Sequence, residues 1–215
     1  MIQEIAQRLL SVRERIARTG RNPDDIVIVA VTKGFGADTC KAAIEAGLRV
    51  LGENRVHEAK LKMEVVSGAE WHLIGHLQTN KVRQAAGRFA LIHSVDSARL
   101  AAELARADPK QEVLLEVNVA REAQKHGVEP DKALEVITEV SRLVQLKGLM
   151  AMGPSEGDPA PAFRELSQLR DDAEQRLGRR LPVLSMGMSG DFEAAVEAGS
   201  TMVRLGQALF GPRPS

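Results

Sequence analysis

Eight short apolar runs alternating with amphipathic helical stretches predict an α/β fold, a single (β/α)8 TIM barrel with an additional N-terminal helix. Three observations carry this. The runs are apolar on both faces, as parallel strands covered by helices require. The stretches between them return apolar residues every three or four positions. A helix-to-strand unit also recurs, "AAIEAGLRVLG" at 42–52 echoing "AAVEAGSTMVRLG" at 194–206, with Gly47 and Gly199 placed just past a helix end.

The N-terminal stretch sets Ile2, Ile5, Leu9, Val12 and Ile16 among charges, the spacing of an amphipathic helix rather than a signal peptide. The first strand is "IVIVAVT" from Ile26, followed by Lys33. The second to fourth are "LRVLG" from Leu48, "WHLIG" from Trp71 and "ALIHSV" from Ala90. "EVLLEVNV" from Glu112 is the fifth, and the clearest helix follows it in "EPDKALEVITEVSRLVQL". Pro130 falls in its first turn, and Leu134, Ile137, Val140 and Val144 share one face. "LKGLMAM" from Leu146 is the sixth strand, with the Pro/Gly-rich segment 153–162 as the loop after it. "PVLSMGM" from Pro182 and "TMVRLG" from Thr201 complete the set. No linker interrupts residues 1–215, which read as one domain, and an open doubly wound sheet is the alternative topology.

Composition narrows the function. Twenty-nine basic and twenty-nine acidic residues cancel, which removes the charge excess that drives nonspecific nucleic-acid binding, and no stretch is long and apolar enough to span a membrane. One cysteine, Cys40, excludes an intrachain disulfide, and a cytoplasmic setting is expected. A small ligand recognised locally fits best.

In such a barrel the site lies where strands end. The residues there are Lys33, Glu53 and Asn54, His76 with Gln78 and Asn80, His93 and Ser94, Asn118, Met152, the "SMGMSGD" turn at 185–191, and Arg204 with Gly206. This face is rich in cations, amides, hydroxyls and glycines and poor in carboxylates, which suits an anion that also carries a carbonyl. Ser189 and Gly190 open one helix, and Gly206 and Gln207 open another, the positions from which phosphate is commonly held. Lys33, desolvated near a cation such as Arg204, would have a lowered pKa and could attack an aldehyde to form a Schiff base. The bland alternative is a solvated lysine at a strand end.

No metal site is expected. His72 and His76 lie on a strand running into a loop, without an HExxH helix or a cysteine cluster. Cys40 reads as an inert thiol. Met150, Met152, Met186 and Met188 read as packing residues, and Lys125 and His126 as a loop that either is solvated or acts as a lid.

The segments "AVTK", "GEN", "WHLIGHLQTNK", "KGLMAMG", "LSMGMSGDFEAAVEAGSTMVRLG" and "LFG" occur in this order. They resemble the YggS/PROSC family of pyridoxal phosphate homeostasis proteins over nearly the whole chain. The resemblance implies a (β/α)8 barrel related to the N-terminal domain of alanine racemase, holding pyridoxal 5′-phosphate (PLP) as an internal aldimine. By motif, Lys33 would be the Schiff-base lysine and Asn54 would lie beside the cofactor ring. Ser189 and the N–H groups of Gly206 and Gln207 would hold the phosphate, and Arg204 would face the pyridine nitrogen. The chain departs from the family pattern in having "GFG" at 34–36, where a second lysine is common, and Gln207, where Thr or Ser is common.

An arginine opposite the pyridine nitrogen is always a donor and leaves the ring a weak electron sink. Racemases of the related fold add a tyrosine base and a second domain, whereas this chain has no tyrosine. The expectation is a monomeric PLP carrier and buffer, with PLP-dependent apoenzymes as partners and no assigned catalytic residue. A PLP-dependent racemase-like enzyme using His76 or Lys125 as second base is the alternative, and a Schiff-base aldolase acting on a sugar phosphate is a third reading.

Overall fold

The computed structural model describes residues 1–212. Its centre is a closed parallel barrel in chain order, built from β1 (Val27–Val31), β2 (Val50–Glu53), β3 (Glu70–Leu73), β4 (Leu91–Val95), β5 (Glu112–Glu116), β6 (Gln145–Met150), β7 (Val183–Ser185) and β8 (Met202–Leu205). Closure comes from the pairing of β1 with β8, in register from Val27 opposite Met202 to Ala30 opposite Leu205. The expected barrel is therefore the observed one. Its strands are shorter than the apolar runs, because the C-terminal ends of several runs peel away into the loops that form the mouth.

Helices cover the barrel in sequence: α1 (Ile2–Arg18), α2 (Ala37–Glu45), α3 (Val56–Met63), α4 (Val82–Ala85), α5 (Ala98–Ala107), α6 (Pro130–Leu143), α7 (Ala160–Leu177), α8 (Phe192–Glu197) and α9 (Gln207–Phe210). Pro130 opens α6, where a missing N–H costs nothing, and Ala133, Ile137 and Val140 face the sheet. Ser97 caps α5 by accepting the N–H of Leu100 at 3.3 Å. Gly47 and Gly199 follow α2 and α8 with φ of +98° and +100°, which explains the repeated helix-to-strand unit as a repeated left-handed exit.

The N-terminal helix lies against the barrel's side. It buries Ile5, Val12 and Ile16, and Arg15 grips the Glu193 carboxylate of α8 with both arms at 2.7 and 2.6 Å. It therefore covers the seam where the first and last barrel units meet. Cys40 is fully buried, and burial pushes its thiol pKa up, in keeping with an inert side chain.

The outer core between strands and helices is apolar, as expected of strands apolar on both faces, but the barrel interior corrects that expectation. Val29, Leu91, Leu114, Met150 and Met202 fill one part. His72, His93, Ser185 and Arg204 are buried and linked to one another there; His72 was expected on a strand, and His93, Ser185 and Arg204 at the strand ends of the mouth.

Candidate functional site

Lys33 follows β1 on a backbone held from both sides. The carbonyl of Thr32 accepts the ammonium of Lys62 at 2.8 Å, and the N–H of Gly34 donates to Glu58 Oε1 at 2.9 Å. Lys62 and Glu58 are one helical turn apart on α3 and pair at 2.8 Å, so a single ion pair fixes the peptide groups around Lys33. Lys62 also donates to Glu53 Oε1 at 2.6 Å, as does the Thr32 hydroxyl at 2.6 Å. Burial raises the Glu53 pKa, which these bonds offset only in part. For Lys62, burial acts downward, but the two carboxylate partners outweigh it and the net direction is up. Glu53 was expected at the mouth; its carboxylate instead turns away into this buried cluster.

A cavity of about 300 Å³ opens at the mouth, lined by Lys33, Asn54, Ile74, Met150, Met152, Met188, Ser189, Gly190, Arg204, Gly206 and Gln207, with Val31. The six residues expected to hold a ligand, Lys33, Asn54, Ser189, Arg204, Gly206 and Gln207, thus share one pocket. Asn54 reaches it because Gly75 lets the adjacent loop close in: a Cβ there would stand 2.3 Å from the Asn54 carbonyl oxygen. Gly190 and Gly206 need no such explanation from the protein. Neither has a positive φ, and a Cβ would meet nothing within 4 Å at Gly190 and only an ordinary 3.5 Å contact at Gly206. What a side chain would fill is the pocket itself. Ser189 Oγ accepts the N–H of Ala208 at 3.1 Å, so its hydroxyl proton is free to point at an anion.

Arg204 forms the inner wall. It is 5% exposed and donates to the Ser185 carbonyl at 2.7 Å, to Ser185 Oγ at 2.8 Å and to the Ala151 carbonyl at 2.9 Å. Of the five N–H bonds of a guanidinium, three are taken by the barrel wall, leaving two for a ligand in the pocket. Burial lowers its pKa to about 10, so it stays charged at neutral pH.

Behind Arg204 runs a hydrogen-bonded chain with only one consistent direction. His93 Nδ1 lies 3.0 Å from Ser185 Oγ, His93 Nε2 lies 3.0 Å from His72 Nδ1, and His72 Nε2 lies 2.9 Å from Glu70 Oε1. Burial drives the pKa of both imidazoles down, that of His93 well below the usual range, so both rings are neutral and each carries one N–H. The Glu70 carboxylate only accepts, so His72 must donate from Nε2 and accept at Nδ1. His93 then donates from Nε2 and accepts at Nδ1 from the Ser185 hydroxyl, which itself accepts from Arg204. Four groups, Arg204, Ser185, His93 and His72, therefore donate in series from the buried cation to the exposed carboxylate of Glu70 at the opposite end of the barrel. Each bond strengthens the next and makes Ser185 a better acceptor for the buried charge.

Other residues expected at the mouth lie elsewhere. His76, Gln78 and Asn80 line a separate depression with Asp96 and Ser97. His93 is fully buried beneath the mouth, and Ser94 donates to the Gly75 carbonyl at 2.7 Å. Asn118 holds the following loop through the Glu122 carbonyl at 3.0 Å. Lys125 donates to the Gly153 carbonyl at 2.6 Å and pairs with Glu122 at 3.0 Å, which makes it a latch between two loops. The expectation of a mouth poor in carboxylates needs correcting as well. Glu116 ends β5 almost fully buried, where burial raises its pKa to about 7 against the opposing pull of Arg204.

The profile of the family described as alanine racemase, N-terminal domain, matches residues 3–214. The pyridoxal phosphate homeostasis protein of Aquifex aeolicus is 41% identical over 222 residues, covering 96% of this chain and 97% of the relative. The protein of the same name from Escherichia coli is 39% identical, covering 99% and 98%. PipY of Synechococcus elongatus, solved with PLP bound, superposes with a TM-score of 0.84 at 34% identity over 96% of this chain and all of PipY. Without PLP, PipY superposes with a TM-score of 0.87 at 35% identity and the same coverage. With its barrel, its pocket and its full-length relatives in agreement, the chain belongs to the alanine racemase N-terminal domain family, among the pyridoxal phosphate homeostasis proteins.

Proposed function

We propose that this chain is one barrel domain that binds PLP in the Lys33 pocket and serves PLP homeostasis as a carrier and buffer. The observation that carries the reading is the convergence of an amine, an anion cradle and a buried guanidinium in one pocket. When bound, the cofactor supplies an aldehyde, a phosphate and a pyridine nitrogen. Lys33 is the group that would take the aldehyde as a covalent imine. Ser189 with the backbone of Gly190, Gly206 and Gln207 would take the phosphate, the side chain of Gln207 giving an amide where the family commonly has a hydroxyl. Arg204 would aim a remaining N–H at the ring nitrogen, and Asn54 would border the ring.

The pocket's own chemistry favours holding over turnover. Arg204 is charged and can only donate, so it offers the ring nitrogen a hydrogen bond and no proton. Racemisation removes a proton from one face of a carbon and returns it from the other, which requires two proton carriers. Among the described residues lining the cavity, Lys33 is the only amine or imidazole, and no tyrosine exists in the chain. His76 lies outside the cavity beside Asp96, and Lys125 is engaged by Gly153 and Glu122. The alternative of a racemase-like enzyme thus lacks its second base.

The curated relatives are named for PLP homeostasis. The carrier reading extends this to a cytoplasmic monomer that passes PLP to apoenzymes. Among the described residues no helix is long and apolar enough to cross a membrane. Loaded protein mixed with a PLP-dependent apoenzyme should restore its activity, while prolonged incubation with single-enantiomer amino acids should leave their configuration unchanged. Sustained racemisation would overturn the carrier reading.

A further inference from the structure

Outside the Lys33 pocket, three loops at the mouth bring two imidazoles and a carboxylate together. His76 follows β3, Asp96 follows β4, and His126 lies in the loop after β5. One ligand atom from each falls within 4.8 Å of the others. We propose that His76, Asp96 and His126 form a binding site for a divalent transition-metal ion of the Zn²⁺, Co²⁺ or Ni²⁺ class.

The spacing favours ligation over a simple ion pair. His76 Nδ1 and Asp96 Oδ2 stand 3.4 Å apart, longer than an ordinary hydrogen bond. Two ligands about 2.0–2.1 Å from one tetrahedral ion stand about 3.3 Å apart, which is close to the separation found here. The rings of His76 and His126 stack with centroids 4.0 Å apart and planes 12° from parallel. Bringing separations of up to 4.8 Å to the about 3.3 Å of two ligands on one ion takes at most about 1.5 Å of side-chain movement.

Two of the three ligands, Asp96 and His126, are also supported from behind. Asp96 Oδ1 accepts the Ser97 hydroxyl at 3.0 Å, which leaves Oδ2 facing His76. The residues flanking His126 are fixed: Lys125 is latched to the Gly153 carbonyl, and the N–H of Val128 donates to the Glu116 carbonyl at 2.8 Å. Between them Gly127 has φ +113°, and a Cβ there would stand 2.8 Å from the Asn118 nitrogen. The loop is thus shaped to present His126 to its partners.

Two imidazoles with one carboxylate suit a borderline transition metal better than Mg²⁺ or Ca²⁺, which prefer all-oxygen sites. Three protein ligands leave at least one coordination position for water. His76 also borders a depression lined with Asn54, which in turn lines the Lys33 pocket. The ion would therefore clip three mouth loops together one side chain away from that pocket. This assignment does not depend on the identity of the ligand that Lys33 takes.

The test is titration of tag-free, metal-stripped, cofactor-free full-length protein with Co²⁺ and with Zn²⁺, followed by calorimetry and, for Co²⁺, by visible absorption. One equivalent should bind with nitrogen–oxygen Co²⁺ bands. His76→Ala, His126→Ala and Asp96→Asn should each weaken binding by about tenfold or more, with unchanged circular dichroism. His57→Ala, removing an exposed histidine that borders the depression without belonging to the triad, should bind as the unaltered protein does. Binding no tighter than millimolar, or binding that survives loss of either triad histidine, would overturn the assignment.

Discussion

Lys62 Nζ stands 2.8 Å from the carbonyl oxygen of Thr32, so a buried lysine on α3 holds the peptide immediately before the lysine of the pocket. The same ammonium satisfies Glu53 Oε1, and removing it would strand a buried carboxylate. Lys62→Met is expected to cost about 3 kcal/mol of stability in urea unfolding at neutral pH. Adding Glu53→Gln should recover part of that loss, because the stranded group would no longer be a charge. Equal stability of Lys62→Met and the unaltered protein would show that the cluster does not hold the loop.

Glu116 gives a stability change that depends on pH. Its pKa rises from 4.5 to about 7 on folding, so the folded state disfavours its ionised form. Stability is lost as pH rises from the unfolded value through the folded one, and the loss is complete above it. Glu116→Gln should therefore be nearly neutral near pH 4 and stabilising by about 3 kcal/mol near pH 8, read from paired denaturation curves. A substitution effect independent of pH would contradict this.

Glu122 behaves in the opposite sense. Hydrogen bonds from the Ser155 hydroxyl and N–H, followed by Lys125, depress its pKa to about 2. Its contribution is present above the unfolded value near 4.5 and disappears as pH falls through the folded one. Glu122→Gln should speed hydrogen exchange in residues 121–127 at neutral pH and have little effect near pH 2. Equal exchange at neutral pH would remove Glu122 from the latch.

The direction of the hydrogen-bond chain is open to nitrogen-15 NMR. His72 and His93 should both be Nε2–H tautomers with bare Nδ1, and burial should hold His93 neutral at neutral pH, its titration displaced well below the usual imidazole range. An Nδ1–H tautomer at His93 would reverse the chain and set a bare His72 nitrogen against the Glu70 carboxylate.

The barrel was legible because its signals are local and repeated. Apolar runs of strand length alternate with helical periodicity, and the glycines after α2 and α8 mark equivalent exits. The six pocket residues were legible because strand ends of a barrel converge, and the family resemblance assigned them roles. The supporting groups were hidden for a physical reason. Lys62 sits in "HEAKLKMEV", where alternating charges look like a solvated helix face, and only the closed structure shows one of them turned inward. Glu116 and His93 lie on strands whose inward parity cannot be read from runs apolar on both faces. His76, Asp96 and His126 come from three loops separated by 20 and 30 residues, a juxtaposition that no local motif encodes.

The most direct test of the central claim is to load the purified protein with PLP, reduce it with borohydride and map the modified peptide by mass spectrometry. A stoichiometric adduct on Lys33, lost in Lys33→Ala without loss of fold, is the predicted result. An adduct scattered over surface lysines, or none, would contradict the assignment of Lys33 and of the pocket built around it.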